Sequence, residues 1–485
     1  ETGPDTPLEE ARQILIRHDV GRLPVLEDGQ LRGIISRTDV LRHLYDTQRF
    51  HSKASSDPSS ELLLRLPWQW LELLKQAGQI AKDCRVEVFA VGGFVRDLLL
   101  ERLDQGLWDL DLCVEGSVDE FLELLSQSWK ASLHRHPRFE TATLILPDGQ
   151  KVDVARARQE SYVRPAALPE VQSSNLKQDL YRRDFTINAL AVRLTEGHFG
   201  QLVDFFGGQA DLNNQVIRVL HNHSFIDDPT RILRAVRLEQ RLGFHLSDGC
   251  EHLLRAAVRQ GMLPLAGPDR VRDEIILCLS ESQAVAILER LNKLRVLTSL
   301  HPELGLDPKV RGLLQRSQQA IQELSEELEF KPWKVYVRAW LHRWKPQELE
   351  ELLDQFHFHL ERSRSQLNLA AVIWRLNRES LPASQVHHLL HALNAEEVVV
   401  LWALNLEGKM NPARVQERIL RYLRHLKGVT PLLSGHDVLE AGVAAGPRVA
   451  KIKSAAFATQ LDENWQHVEQ AREWLQSHLQ QPCQS

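Results

Sequence analysis

Residues 86–114 read VEVFAVGGFVRDLLLERLDQGLWDLDLCV, and this stretch decides the fold. The run VEVFAV is apolar and strand-like. It stops at Gly92-Gly93, after which FVRDLLLER takes up helical spacing. Two glycines at a strand-to-helix turn let an anion approach the backbone, and the helix N-terminus beyond them favours negative charge. On its own this pattern is more often plain turn chemistry. Sixteen residues past Gly93 stands Asp109-Leu110-Asp111, followed by the apolar run Leu112-Cys113-Val114. Side chains at i and i+2 of a strand point to one face, with Cα atoms about 6.7 Å apart. Two carboxylates so placed suit divalent cations that stabilise the attacking and leaving oxygens of a phosphoryl displacement. A bare Asp-x-Asp is more often a solvated strand face, so the decision needs more of the chain.

Outward from this stretch, strand-like runs (TATLIL, KVDVARA, NALAVRL) alternate with helical ones (LLLRLPWQWLELLKQAG, VDEFLELLSQSW) from Glu61 to about Phe206. The alternation predicts an α+β domain. The segment Glu160 to Lys177, with Pro165, Pro169 and a Ser-Ser-Asn cluster, reads as a loop. Beyond Phe206 almost every segment has helical periodicity, including Asp228 to Leu242, Arg270 to Leu279, Val310 to Leu328 and Trp333 to Trp344. Toward the N-terminus, HSKASSDPSS (51–60) is a polar linker, preceded by a helix, the strands LPVLE and LRGIIS around Asp28-Gly29, and a second helix. The expected organisation is a small module over 1–46, a linker over 47–60, a head over 61–206, a helical neck over 207–280 and a helical body and tail over 281–485.

A third constellation is Tyr181-Arg182-Arg183-Asp184-Phe185-Thr186-Ile187-Asn188-Ala189-Leu190, in which adjacent guanidinium groups suit a phosphate. Four motifs now stand in order: Gly92-Gly93-x-Val95-Arg96-Asp97, Asp109-x-Asp111, Arg182 to Ala189, and Asp227-Asp228-Pro229-Thr230-Arg231-Ile232-Leu233-Arg234-Ala235. The series resembles the class II tRNA nucleotidyltransferase and bacterial poly(A) polymerase family of the polymerase β superfamily, over about residues 80 to 280. More loosely, Gly435-His436-Asp437-Val438-Leu439 resembles a segment of that family's helical tail. The first residues resemble part of a CBS module, on Arg22-Leu23-Pro24-Val25 and Gly33-Ile34-Ile35-Ser36-Arg37-Thr38-Asp39, with the opening strand missing. In such modules an adenosine would fall on Ser36, Thr38 or Asp39.

The resemblance implies a nucleotidyltransferase head with a small mixed sheet, followed by an all-helical neck, body and tail. By position, Asp109 and Asp111 would be the metal carboxylates holding Mg²⁺. Asp153 of Lys151-Val152-Asp153-Val154 is a candidate third acid, with an ordinary exposed position as the equal alternative. Gly92 and Gly93 would face the triphosphate, helped by Arg96, while Arg182 and Asp184 would contact the nucleotide, the acid reaching the sugar. A helix is expected to start at Asp228, and Asp228 and Arg231, three apart, sit on one face of it. The matching pair in the family reads the base. A carboxylate accepts from the amino group and a guanidinium donates to the ring nitrogen of cytosine or adenine. Uracil and guanine offer the reverse pattern, so CTP or ATP is expected and UTP and GTP are refused. The family's usual Glu is Asp227 here.

The implied activity is template-independent addition of AMP, with CMP left open, to the 3′-hydroxyl of tRNA. A poly(A) polymerase is the alternative within the same chemistry, and a non-catalytic RNA-binding or adenosine-sensing protein the alternative outside it. The 160–177 segment is present, which disfavours a CC-only enzyme; A-adding and CCA-adding both stay open.

Composition sets the outer bounds. With 43% hydrophobic and 26% charged residues in 485, the chain is globular and long enough for about three domains. No apolar run approaches the roughly 18 residues of a membrane span. The formal charge of -6 means that any RNA surface is a local one. Lys331 to Pro346 is a candidate, although Trp333, Tyr336, Trp340 and Trp344 share one helical face and are expected to pack inside, leaving the Lys and Arg for RNA. Five scattered cysteines fit a reducing cytoplasm, and no charged-then-apolar leader is visible. The start at Glu1 rather than Met suggests a fragment or a processed product. His221-Asn222-His223 and His387-His388 lack metal-ligand spacing and read as surface or core histidines.

Overall fold

A computed structural model describes residues 2–7, 10, 11, 14, 22–36, 63, 66–103, 109–136, 140–161, 166, 170–360, 368–406 and 411–480. The linker at 51–60, and Thr38 and Asp39 of the CBS-like motif, lie outside the described residues, as does the side chain of Ser36. The chain divides into two compact units, Glu1–Leu265 and Ala266–Ser485. Their boundary falls inside the expected neck. Among the described residues no helix is long and apolar enough to cross a membrane.

In the first unit, β1 (Arg22–Glu27) and β2 (Gln30–Ser36) form an antiparallel hairpin. Thr2 bridges Val25 in parallel, so the expected missing strand is represented by a single bridge. Next come α1 (Trp68–Asp83), β3 (Glu87–Val91), α2 (Gly93–Leu99), β4 (Leu110–Glu115), α3 (Asp119–Trp129), β5 (Ser132–His136), β6 (Thr141–Ile145) and β7 (Lys151–Arg156). They continue with β8 (Arg158–Ser161), β9 (Glu170–Ser173), α4 (Leu176–Tyr181), β10 (Leu190–Arg193) and β11 (Leu202–Asp204). A seven-stranded sheet runs β11-β10-β3-β4-β7-β6-β5, antiparallel throughout except for the parallel β4–β7 pair.

The central strand β4 reads LDLCVE and is buried at Leu110, Leu112, Cys113 and Val114, as a strand covered on both faces should be. Cys113, on the face shared with Asp111, packs with Phe89, Val91, Ala157, Leu176, Leu180, Ala189 and Ala191. Leu176 and Leu180 come from α4, so this helix lies over the Cys113 end of the face that carries Asp111. Its start is set by Asn175, whose side chain accepts from the Gln178 N–H at 3.0 Å.

The segment expected to be a loop is only partly one. Arg158–Ser161 and Glu170–Ser173 pair as a second antiparallel hairpin, with Gln159 bonded to Gln172 across it. Pro165 and Pro169 fall between the two strands in sequence and lie outside the described residues. The short strands β5 and β11 are not evident in the sequence pattern; β5 is mostly exposed and β11 half-buried throughout, so neither shows the buried-exposed alternation that marks a strand.

The second unit is helical throughout its described residues, from Pro268–Ser280 to Val468–Gln480. The Lys331 to Pro346 segment forms a helix over Pro332–Trp340. Of the four aromatics expected to pack inside, Tyr336 and Trp340 are buried, Trp333 and Trp344 are half-buried with Trp344 beyond the helix, and the Trp340 indole donates to the Leu304 carbonyl. Three of its interspersed cations are already paired, Arg338 with Glu397, Arg343 with Asp307 and Lys345 with Glu348.

One close approach fixes α1 against the sheet. A methyl group on Gly78 would overlap the Leu194 carbonyl, so backbone meets backbone there. Gly78→Ala is therefore expected to destabilise the first unit by about 2 kcal/mol or more, although alanine favours a helix over glycine by about 1 kcal/mol. Urea denaturation checks this: a midpoint equal to or above the parent's refutes the close packing.

Candidate active site

Strand register assembles the acids. In the parallel pair β4–β7, Asp111 stands opposite Asp153, and in the antiparallel pair β3–β4 it stands opposite Val91. Asp109 precedes β4 on the same face as Asp111. The three carboxylates each offer an oxygen within 4.8 Å of the others. Thr143 on β6 donates to Asp153 at 2.6 Å and orients it. Burial pushes the Asp111 carboxyl up to about 6, with Asp109 and Asp153 adding to the rise and Arg183 opposing it. Three oxygen donors clustered at this cost are the donor set of a hard cation.

Because Val91 faces Asp111, the turn that follows β3 lies beside the acids. Gly92 there has φ 76°, a conformation that favours glycine. A side chain at Gly92 would also meet the Arg183 guanidinium at 2.6 Å and the Asp111 carboxylate at 3.3 Å. Arg183 is thus the arginine that stands next to the acids. The family resemblance implies Arg182 for the nucleotide contact, and the sequence pattern alone does not tell the two adjacent arginines apart. Gly93 opens α2, close to Arg96.

Arg96 and Asp184 serve mainly inward. Arg96 is 5% exposed, forks onto Asp97 at 2.8 Å through two nitrogens and donates to Asn188 at 2.7 Å. Asn188 in turn donates to Asp184 at 2.9 Å. The other Asp184 oxygen takes both Nε and Nη2 of Arg234, at 2.9 and 2.6 Å, and the Phe185 N–H completes the set. Four bonds fill a carboxylate, so the oxygens that the expected contact to a sugar would use are all engaged within the protein. Burial alone would raise the Asp184 carboxyl, but Arg234, Asn188 and Arg231 hold it far below the usual carboxylate range.

Arg182 caps the C-terminal end of α4. It places Nε and Nη2 on Asp179 Oδ1, at 2.9 and 2.8 Å, and Nη1 on Glu160 of β8 at 2.8 Å. With Glu160 it lines a cavity of about 300 Å³ that also takes in Gln159, Tyr181, His221, Asp227 and Arg231. Arg231 donates to Ser224 Oγ at 2.7 Å and to the Arg182 carbonyl at 2.6 Å. Asp228 departs from expectation. The helix α5 (Gly208–Asn213) and strand β12 (Val216–Ile217) are followed by a short α6 (Ser224–Asp227) and then by α7 (Arg231–Leu242), so Asp228 lies between helices, at φ -133° and ψ 94°. Pro229 is the reason, since a residue before proline avoids the helical region. Asp228 accepts from the Thr230 N–H and hydroxyl, whereas Asp227 faces the cavity beside Arg231. His221 and Tyr181, whose rings lie 5.2 Å apart, are wall residues that spacing rules for metals had no means to find.

The Poly A polymerase head domain family matches residues 88–218, and the CBS domain family matches residues 2–46. An A-adding tRNA nucleotidyltransferase of Halalkalibacterium halodurans is 33% identical over 78% of this chain and 85% of its own. The chain belongs to the tRNA nucleotidyltransferase and poly(A) polymerase family. Another member, the A-adding tRNA nucleotidyltransferase of Geobacter sulfurreducens, is 34% identical over 95% of this chain, which spans only 54% of that relative's length. Among solved members, the Thermotoga maritima CCA-adding enzyme complexed with tRNA is 31% identical, with a TM-score of 0.67 over 87% of this chain and 98% of the other.

Two outcomes follow from this geometry. Replacing Asp184 by Asn removes the charge that faces Arg234; because that side chain is 37% exposed, the loss is expected to be about 2–3 kcal/mol rather than that of a dry ion pair. A thermal or urea midpoint within error of the parent's rules out the network as a structural tie. For the acids, a proton on Asp111 excludes a cation, so Mn²⁺ affinity should fall by about tenfold per unit as pH drops below about 6, and be steady above about 7. Titration by electron paramagnetic resonance reads this directly, and a flat profile from about pH 5 to 7 argues against Asp111 as a ligand.

Proposed function

We propose that this chain transfers AMP from ATP to the 3′-hydroxyl of a tRNA without a template, releasing pyrophosphate. The observation that carries the reading is the grouping of Asp109, Asp111 and Asp153 beside the Gly92 turn and the Arg183 guanidinium. The donor set fits Mg²⁺: Asp109, Asp111 and Asp153 would hold it, and when bound it supplies charge neutralisation at the reacting phosphate. Gly92 lets the triphosphate approach the backbone, and Arg183 offers it a fork of donors. Arg231, with an acid of the Asp227-Asp228 turn, reads the amino and ring-nitrogen edge shared by adenine and cytosine. The A-adding names of two relatives that match over most of this chain support ATP as the donor.

Addition of CMP as well is the second reading, supported by the likeness to a CCA-adding enzyme over 87% of the chain. We place the reaction in the cytoplasm, where the buried thiols of Cys113, Cys250 and Cys278 stay reduced. The same likeness supports a tRNA-binding role for the helical second unit, and we read the N-terminal hairpin as a CBS remnant.

The test is to incubate the protein with Mg²⁺, labelled ATP or CTP, and tRNA transcripts that lack the whole CCA end, lack only the terminal A, or are complete. Label from ATP only on the transcript lacking A is the expected result. Repair of both truncated ends establishes CCA addition, and long tails on all three establish poly(A) synthesis. Incorporation that survives Asp109→Ala with Asp111→Ala overturns the mechanism.

A further inference from the structure

Asp179 has no part in the chemistry described so far, yet it is 1% exposed in the middle of α4, and a carboxylate buried that deeply needs a reason. Its two oxygens are divided between the two arginines of the motif. Oδ1 accepts from Arg182 at 2.9 and 2.8 Å, and Oδ2 accepts from Arg183 at 3.4 Å. The Arg158 N–H, at the start of β8, lies 3.4 Å from Oδ1. Burial raises the Asp179 carboxyl, but Arg183 and Arg182 more than offset this and keep it below its ordinary value.

The two arginines differ in what else holds them. Arg182 has Glu160 as a second acid, whereas the one ion pair of Arg183 among the described residues is with Asp179. The Arg183 guanidinium nevertheless stands at the Gly92 turn, with its Nε buried and without a hydrogen-bond partner. A long side chain of this kind loses about 2 kcal/mol of rotamer freedom when it is fixed in one place. A single contact at its far end meets that cost before any ligand arrives.

We propose that Asp179 is a positioning residue that holds Arg183 over the Gly92 turn, so that the phosphate-binding arginine is in place before the nucleotide binds. The inference rests on the reading that Arg183 meets the triphosphate. It makes a prediction of definite sign. Neutralising an acid leaves a site more positive, so if Asp179 acted only through its charge, Asp179→Asn would tighten ATP. If it acts by holding Arg183, the same change weakens ATP and leaves adenosine alone.

The experiment is calorimetric titration of the full chain, without metal, with ATP and with adenosine, for the parent, Asp179→Asn, Arg183→Gln and the double variant. The expected result is an approximately tenfold weaker ATP affinity in each single variant, unchanged adenosine affinity, and a double variant no weaker than Arg183→Gln. Unchanged or tighter ATP binding in Asp179→Asn, with Arg183→Gln weakened, overturns the role of Asp179 alone. Unchanged ATP binding in Arg183→Gln overturns the reading of the site beneath it. Should Asp179→Asn fail to fold, Asp179→Glu keeps the charge and displaces the guanidinium by one methylene. Weaker ATP with unchanged adenosine in that variant supports positioning, and parent-like ATP binding refutes it.

Discussion

The parallel pairing of β4 with β7 is the constraint on which the rest of the first unit depends. Elsewhere the sheet runs antiparallel, and an antiparallel neighbour at that place would reverse the register and carry Asp153 away from Asp111. Because the side-chain period of a strand is two residues, a slip of one position would send Asp111 to the opposite face and Leu112 to its place. The apolar residues of β4 prevent that slip. Leu110, Leu112 and Val114 are each 1% exposed or less, and Cys113 locks the other face under α4. The core thus sets the positions of acids that it does not itself contain.

Around this strand the charged groups form two chains rather than isolated pairs. One runs Asp97, Arg96, Asn188, Asp184, Arg234 and joins the helix after the glycine turn to α7. The other runs Arg183, Asp179, Arg182, Glu160 and joins α4 to the β8–β9 hairpin. Buried ion pairs contribute little net stability against their desolvation, and their value is in geometry. Here each chain ties together segments far apart in sequence at one end of the sheet.

The α+β head, the helical remainder, the glycine turn and the paired acids were legible because each is a local pattern. VEVFAV, LDLCV and KVDVARA carry their period in their own residues. What was not legible depends on contacts distant in sequence. Nothing in Arg182-Arg183 says which guanidinium turns toward Asp111, since the answer lies in Gly92 and Asp179. Asp184 looks like a ligand in its motif until Arg234, fifty residues on, is seen to occupy it. Asp228 was expected on the face of Arg231, although Pro229 beside it already argued for an extended residue. The β8–β9 hairpin was hidden by the prolines and serines that share its segment.

The carbonyl that accepts from Arg231 belongs to Arg182, and the N–H on the same peptide belongs to Arg183. A peptide unit is a rigid plate. Arg231 holds the carbonyl edge of that plate, and the N–H edge is bonded to the Leu180 carbonyl. The junction of the two adjacent arginines is therefore pinned on one side by α4 itself and on the other by a side chain of α7, so the backbone between them has no freedom to let one arginine take the other's place.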